Sequence, residues 1–344
     1  MSSKRNSNIE ILRIISMILI TISHYTVHNS VENFTLPLGI NRFILEISTL
    51  GNIGTILFVL ISGYFMIDSV KTLKLKKIFK LCIQVTFYSA GIYLLLVALN
   101  IEKFTLLTFV KFLFPVTFEK YWFITAYVMM CIFVPYINNF LNNIERKDHL
   151  NFIIIQIIFF SILHTLTTMP YYGNELFQFM MFYSIGAYLK KYPENLFNKK
   201  NYNFKILVLS VIAIIASIII FDLIGSKFSI FSKNSTYLLN RTSLPAILIS
   251  VSLLSIFTQK KEFNNKIINN IASCVLGVYL ISEHELIRMY IWNDVFHCGN
   301  YVSSNFLIIH MFLSVAILFV ICIVIEYIRK VTIDKLISKV IESQ

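Results

Sequence analysis

Arg13 and His24 stand eleven residues apart in the first apolar stretch of this chain, with Glu10 three residues before the arginine and His28 four after the histidine. On a helix of 3.6 residues per turn, eleven steps return to within roughly 20° of the same face, about 16 Å further along the axis. The i,i+3 and i,i+4 spacings bring Glu10 and His28 onto that face, with Ser16, Met17, Ile20 and Thr21 filling it between. One stripe therefore carries a cation near its start and an imidazole deep toward its end. Arginine binds phosphate through a bidentate fork. Histidine moves protons near neutral pH or serves transiently as a nucleophile. Together they suit a long phosphorylated ligand whose reactive end reaches the histidine. The alternative is structural, with Arg13 paired to Glu10 and snorkelling to an interface while His24 hydrogen-bonds across a helix bundle. Spacing alone leaves both open.

The other polar positions are ambiguous in the same way. Glu283, His284 and Glu285 with Arg288 form a late cluster that suits either acceptor hydroxyls or an interfacial position. Trp122 and Tyr127 fit an aromatic belt or a sugar-stacking platform. Tyr64 ends an apolar run just before the basic segment that holds Lys74 and Lys76. His164 and His310 read as packed polar glue, and His149 and His297 as loop residues. No two histidines sit at metal-ligand spacing with a carboxylate, so no metal is expected. Five cysteines without a CxxC pair argue against a disulfide framework, and Cys82, Cys131, Cys274 and Cys322 read as buried small hydrophobes. Tyr171 and Tyr172 after Pro170 read as an interfacial turn.

The elements that hold these residues follow from composition. Of 344 residues, 57% are hydrophobic and 14% charged, with a net charge of +12. A soluble globular protein carries about 25% charge, and the deficit excludes a soluble enzyme, a disordered chain and a nucleic-acid-binding domain. About ten runs reach the roughly 20 apolar residues that cross a bilayer: 9–28, 50–68, 78–99, 121–141, 150–168, 175–190, 204–223, 241–258, 267–288 and 304–328. The segment 104–116, with Lys111 and Pro115, reads as an interfacial helix. The first run is a retained helix rather than a cleaved leader, since Glu10 and Arg13 interrupt its core and no small-x-small site follows. With the N-terminus inside, the basic clusters fall on inner loops, notably Lys71 to Lys80 and Lys190 to Lys205. That asymmetry predicts cytoplasmic termini. Asp222 is placed at the outer interface, and Glu326, Arg329 and Lys330 at the inner end of the last run. The expectation is an all-α polytopic membrane protein, residues 1–344 forming a single domain with no soluble part. No Walker loop or GxGxxG is present.

The ordered motifs resemble those of the membrane acyltransferase-3 family. Arg13-(ten residues)-His24 after Glu10-Ile11-Leu12 is similar to its R-X10-H signature. Phe58 to Tyr64 resembles its F-x-x-x-SGY stretch, and Tyr121-Trp122-Phe123 with Tyr127 and Pro135 its W-[FY]-x-x-x-Y…P helix. Phe182 to Gly186 resembles F-x-x-G, and Gly277 to Ile281 resembles G-x-YL. The likeness covers about residues 8–330. It implies transfer of an acetyl or similar short acyl group from cytoplasmic acyl-CoA to a hydroxyl of an envelope or exported polysaccharide. It makes His24 catalytic with Arg13 its companion, and Glu10 is grouped with them. Acetyl-CoA is then a donor substrate rather than a resident cofactor, with Arg13, Tyr64, Lys74 and Lys76 as candidate contacts. Trp122, Tyr127, Glu283 and His284 are candidate acceptor contacts. The expected partners are membrane lipid, acyl-CoA and a glycan, with no nucleic acid, in the plasma membrane of a bacterium, to which the abundance of Lys, Asn and Ile also points. Two positions depart from the family pattern. Lysines replace the arginines of the loop after the second helix, and Ser282 stands where many relatives have histidine.

A transporter or flippase for lipid-linked sugars fits many spans and a polar stripe as well. It predicts movement without chemistry, and no inverted repeat is visible. A polysaccharide polymerase would carry long arginine-bearing outer loops, which are not seen.

Overall fold

A computed structural model describes residues 5–29, 36–68, 71–167 and 174–342, without the side chains of Lys200 and of 334–342. Lys4 and the Pro170 to Tyr172 turn lie outside the described residues. The chain is helical throughout them, with no strand. We number the helices α1 (Ser7–Val27), α2 (Ile40–Ser48), α3 (Gly51–Met66), α4 (Leu75–Ala98), α5 (Leu106–Leu113), α6 (Trp122–Asn143) and α7 (Arg146–Thr167). There follow α8 (Glu175–Lys191), α9 (Lys200–Gly225), α10 (Ser229–Lys233), α11 (Leu244–Thr258), α12 (Lys266–Ala272), α13 (Val275–Ser282) and α14 (Leu307–Glu342).

Among the described residues, eight helical stretches are long and apolar enough to cross a membrane. The runs predicted at 175–190 and 267–288 are helical but shorter. The first is the 17 residues of α8. The second breaks between α12 and α13 and stops at Ser282, six residues before its expected end, where Glu283 caps the helix. The run predicted at 50–68 gains a leading helix, α2, which lies outside the apolar runs. The interfacial helix expected within 104–116 is α5, capped by the Thr105 side chain.

The first helix is central. Asn6 caps it, its side chain accepting from Asn8 N–H at 3.0 Å. Its first turns pack into one apolar core with α3, α8 and α11, and its later turns into a second with α4, α6, α13 and α14. By contrast, α9 and α14 bury only 28% of their most apolar windows against 56% for α1. They carry exposed Leu209, Leu223, Phe312 and Val320 on the outside, as lipid-facing helices do.

Close backbone approach sets the inner packing. A Cβ on Gly51 would stand 2.7 Å from Ser23 Cβ, and one on Gly54 would collide with the Ser16 carbonyl oxygen. Thus α3 runs antiparallel to α1 and tightly against it. Lower on α3, a Cβ on Gly63 would meet the Tyr183 carbonyl oxygen, while one on Gly186 of α8 would meet the Leu60 carbonyl oxygen. Small residues are what let membrane helices approach this closely.

Three ionic groups, two of them buried, tie the outer helices to this centre. Arg42 bonds Glu46 at 3.0 Å and also Asp222, so Asp222 is an inter-helix strut. Arg241 bonds Glu175 at 2.6 Å. Glu326 and Arg329 pair at 2.8 Å, and Tyr88 donates to Glu326 at 2.6 Å. This last pair was expected to mark a helix end. It is instead buried, because α14 continues to Glu342 and α4 packs a tyrosine and Gln84 against it.

Candidate active site

Between the two cores lies a cavity of about 580 Å³, walled by α1, α3, α6 and α13. The first helix contributes Arg13, Met17, Ile20, Ser23, His24, Val27 and His28. That is alternating i+3 and i+4 steps, the single face the spacing predicted. Two residues expected on it do not line the cavity. Ser16 and Thr21 are fully buried and donate to the carbonyls of Leu12 and Met17, and Ser16 lies where Gly54 of α3 comes against α1.

Glu283 organises the histidine end. It stands at the C-cap of α13 and is 8% exposed. His28 donates from Nε2 to Glu283 Oε1 at 2.6 Å. His24 Nδ1 lies 3.1 Å from the same oxygen, although its N–H is not aligned along that contact. The two imidazoles are 5.2 Å apart, centre to centre. A carboxylate beside Nδ1 favours, by its charge, the imidazole tautomer whose Nε2 carries a lone pair, and it stabilises the imidazolium formed on protonation. Because Nε2 lies across the ring, it is the nitrogen left for the cavity.

The sequence reading placed Glu283 among acceptor contacts and gave His28 no role. The structure puts both against His24. Glu283 is 255 positions from His28, so no local spacing could reveal the pairing. The only sequence signal was a carboxylate in an apolar run, which needs a partner. The expectation that no two histidines meet a carboxylate at ligand spacing is likewise corrected. Donor atoms of His24, His28 and Glu283 lie within 4.8 Å of one another, a His2Glu set of the kind that holds zinc.

At the other end Arg13 lines the cavity with a third of its side chain exposed. Glu10 does not line it. It is buried and binds Arg13 at 2.9 Å, fixing the guanidinium. Tyr127 and Ser62 join across the wall at 3.0 Å, and both line the cavity. The helices bearing the SGY and W-F-x-x-x-Y segments therefore meet here.

The remaining candidates divide. Trp122 lines the cavity, and the Arg241 guanidinium sits 4.5 Å over its ring. Arg241 is held in turn by Gln178 at 2.7 Å, so Trp122 is braced within the wall. His284 is turned away from the cavity. It is buried, stacked on Phe112, and donates to the Ser89 carbonyl at 3.1 Å. Tyr64, Lys74 and Lys76 are not lining residues. Tyr64 faces Lys190, whose Nζ is 5.1 Å from its ring centre. The antiparallel run of α3 puts Tyr64 toward the Arg13 end. Lys76 is exposed at the start of α4, and Lys74 caps that helix by accepting from Lys77 N–H at 3.0 Å.

Two further histidines need comment. His149, expected in a loop, is buried in the first turn of α7 and donates to the Ser184 carbonyl at 3.1 Å. His310 pairs with Tyr25 at 2.8 Å, a cross-helix bond of the kind expected for it.

No curated protein and no solved structure matches this chain. A family model described as an acyltransferase domain matches residues 6–327, which include the whole cavity wall. The chain thus belongs to the acyltransferase-3 family and is an acyltransferase with the helices of a membrane protein.

Proposed function

We propose that this chain is an O-acetyltransferase of a bacterial plasma membrane, crossing it ten times with both termini in the cytoplasm. It takes acetyl from cytoplasmic acetyl-CoA and places it on a hydroxyl of an envelope or exported polysaccharide. The observation that carries this reading is the pairing of His24 with Glu283 in the same cavity that receives Arg13. The eight long helices support eight crossings directly. The α8 and α12–α13 segments complete ten, and the basic loops supply the orientation.

In this mechanism acetyl-CoA approaches from the Arg13 end. Arg13, held by Glu10, takes a phosphate, and the basic segment with Lys74 and Lys76 and the Tyr64 surface flank the way in. The acyl arm runs about 16 Å along α1 to His24. His24 Nε2 removes the proton of the acceptor hydroxyl as its oxygen attacks the thioester carbonyl. The resulting imidazolium is stabilised by Glu283. The tetrahedral intermediate expels the CoA thiolate, which takes the proton back from His24, leaving an acetyl ester and free CoA. Trp122 and Tyr127 line the wall beside the acceptor.

The test follows radiolabelled acetyl from acetyl-CoA into glycan. It uses membranes holding wild type or His24→Ala at matched levels, with envelope glycan supplied. Label should appear with wild type and fall at least a hundredfold in the variant. Equal label in both would sink the role of His24, and no label in either would favour a transporter.

A further inference from the structure

Two guanidinium groups line the cavity, Arg13 at one end and Arg288 beyond His24 at the other. Their situations differ. Arg13 is held by Glu10 at 2.9 Å. The ion pair of Arg288, with Glu283 Oε2, is 3.8 Å long, against 2.6 and 3.1 Å for the two imidazole contacts of the same carboxylate. Glu283 Oε1 is committed to His24 and His28, so the carboxylate cannot turn toward Arg288 without releasing them. Arg288 Nε is shielded from solvent and meets no hydrogen-bond acceptor, while 40% of the side chain is open. A guanidinium presents five N–H donors in a planar fork that fits an oxyanion. A shielded donor without an acceptor is costly in a finished structure, which marks this fork as built for something that arrives.

We propose that Arg288 binds an oxyanion carried by the acceptor, a phosphodiester or a carboxylate, so that the acceptor is an acidic glycan or polyol phosphate rather than a neutral sugar. This rests on the acyl-transfer reading above. One carboxylate separates Arg288 from His24. A substituent anion and a free hydroxyl on the same sugar or on adjacent units span that interval. Glu283 Oε1 faces the imidazoles and its Oε2 stands 3.8 Å from one guanidinium nitrogen, so the incoming anion meets the open part of the fork. Binding the anion at Arg288 places the neighbouring hydroxyl at His24 Nε2, which makes Arg288 a determinant of both acceptor class and the position acetylated.

The test uses the full-length chain in detergent with acetyl-CoA and three acceptors of equal length. One is a neutral glucan oligosaccharide, one carries uronate carboxylates and one carries phosphodiesters. Wild type should show kcat/KM at least tenfold higher for one anionic acceptor than for the neutral one, and the two anionic arms tell carboxylate from phosphate. Losing charge-assisted hydrogen bonds corresponds to about tenfold to a hundredfold. Arg288→Gln should therefore lose that much more with the preferred anionic acceptor than with the glucan, and Arg288→Lys should recover part of it. Binding of the fluorescent anionic oligosaccharides without acetyl-CoA gives an independent readout, with Kd rising at least tenfold in Arg288→Gln. Wild-type transfer at equal rates to all three, equal losses in Arg288→Gln, or unchanged Kd would each overturn the proposal while leaving acyl transfer standing. Arg288-dependent binding without acetylation of any acceptor would retain the anion site and reject the acyl-transfer reading.

Discussion

Replacing Glu283 with glutamine isolates the contribution of the carboxylate charge. The side chain keeps its length and can still meet His28, so the cavity wall is preserved while the negative charge beside His24 is lost. Hydrogen bonds to charged groups contribute about 1.5–3 kcal/mol. A Coulomb bound for an imidazolium 3.1 Å from the carboxylate is about 5 kcal/mol at an effective dielectric constant of about 20. The imidazolium exists only as the proton moves, so this energy falls on the transition state and leaves ground-state binding largely untouched. A loss of about 3–4 kcal/mol, roughly a hundredfold to a thousandfold in kcat, is expected. The KM for acetyl-CoA should stay within about threefold, since its phosphate contact lies about 16 Å away along α1. Glu283→Asp keeps the charge on a shorter arm and should recover at least tenfold of the loss. The assay is steady-state acetyl transfer with donor and acceptor varied separately, on protein of matched thermal stability. A Glu283→Gln enzyme with unchanged kcat, or one whose defect is entirely in donor KM, would refute the assignment of Glu283 as the positioning residue for His24.

Further outcomes follow from the same geometry. Arg13→Gln should raise the KM for acetyl-CoA by about tenfold to a hundredfold through loss of a charged phosphate contact, and removing a phosphate from the donor should cost less in the variant than in wild type. Gly186→Val drives a branched side chain into the Leu60 carbonyl, and should lower stability by at least the roughly 1–3 kcal/mol of ordinary overpacking, read as a lower unfolding temperature in detergent. Zinc ions should inhibit transfer by occupying His24, His28 and Glu283, with activity restored by chelator; inhibition that is the same in Glu283→Gln would place the ion elsewhere.

The part of this site legible in the sequence is the part carried on one helix. Arg13, His24 and Glu10 share a face by arithmetic alone, and the structure keeps that face from Arg13 to His28. What the sequence could not show is which neighbour covers which side. Ser16 and Thr21 satisfied the same periodicity yet are buried on their own helix's carbonyls, because a stripe nearly half the helix wide can be split between the cavity and neighbouring helices. Glu283, His284 and Arg288 read as one polar cluster. The end of α13 at Ser282 breaks it up, sending the carboxylate to His24, burying His284 against Phe112 and leaving Arg288 at the cavity rim. The motif glycines were visible as motifs, but their reason is tertiary. Gly63 and Gly186 each face a carbonyl of the other helix, a contact between segments about 120 positions apart.

That packing also bears on catalysis. The α3 helix approaches α1 at Gly51 and Gly54 and α8 at Gly63, so it fixes the position of the whole Arg13 to His24 face against the bundle. The opposite wall, α13, ends at Glu283, and a Cβ on its Gly277 would stand 2.5 Å from Glu326 Cβ. Glu326 is in turn locked by Arg329 and Tyr88. The His24–Glu283 distance is therefore set from both sides by glycine contacts on which no side chain can be added without moving one partner. A shift of about 1 Å in such a pair can cost a hundredfold in rate. Gly277→Ala, two turns from Glu283 on α13, should thus lower kcat by tenfold or more even where the fold persists. Relieving the clash with a second change, Glu326→Gly, which removes the Cβ that stands 2.5 Å away, would restore geometry only at the cost of stranding the Arg329 charge. The double variant should accordingly lose stability relative to Gly277→Ala while regaining activity. A double variant that folds yet regains no activity would show that α13 is not what sets the position of Glu283.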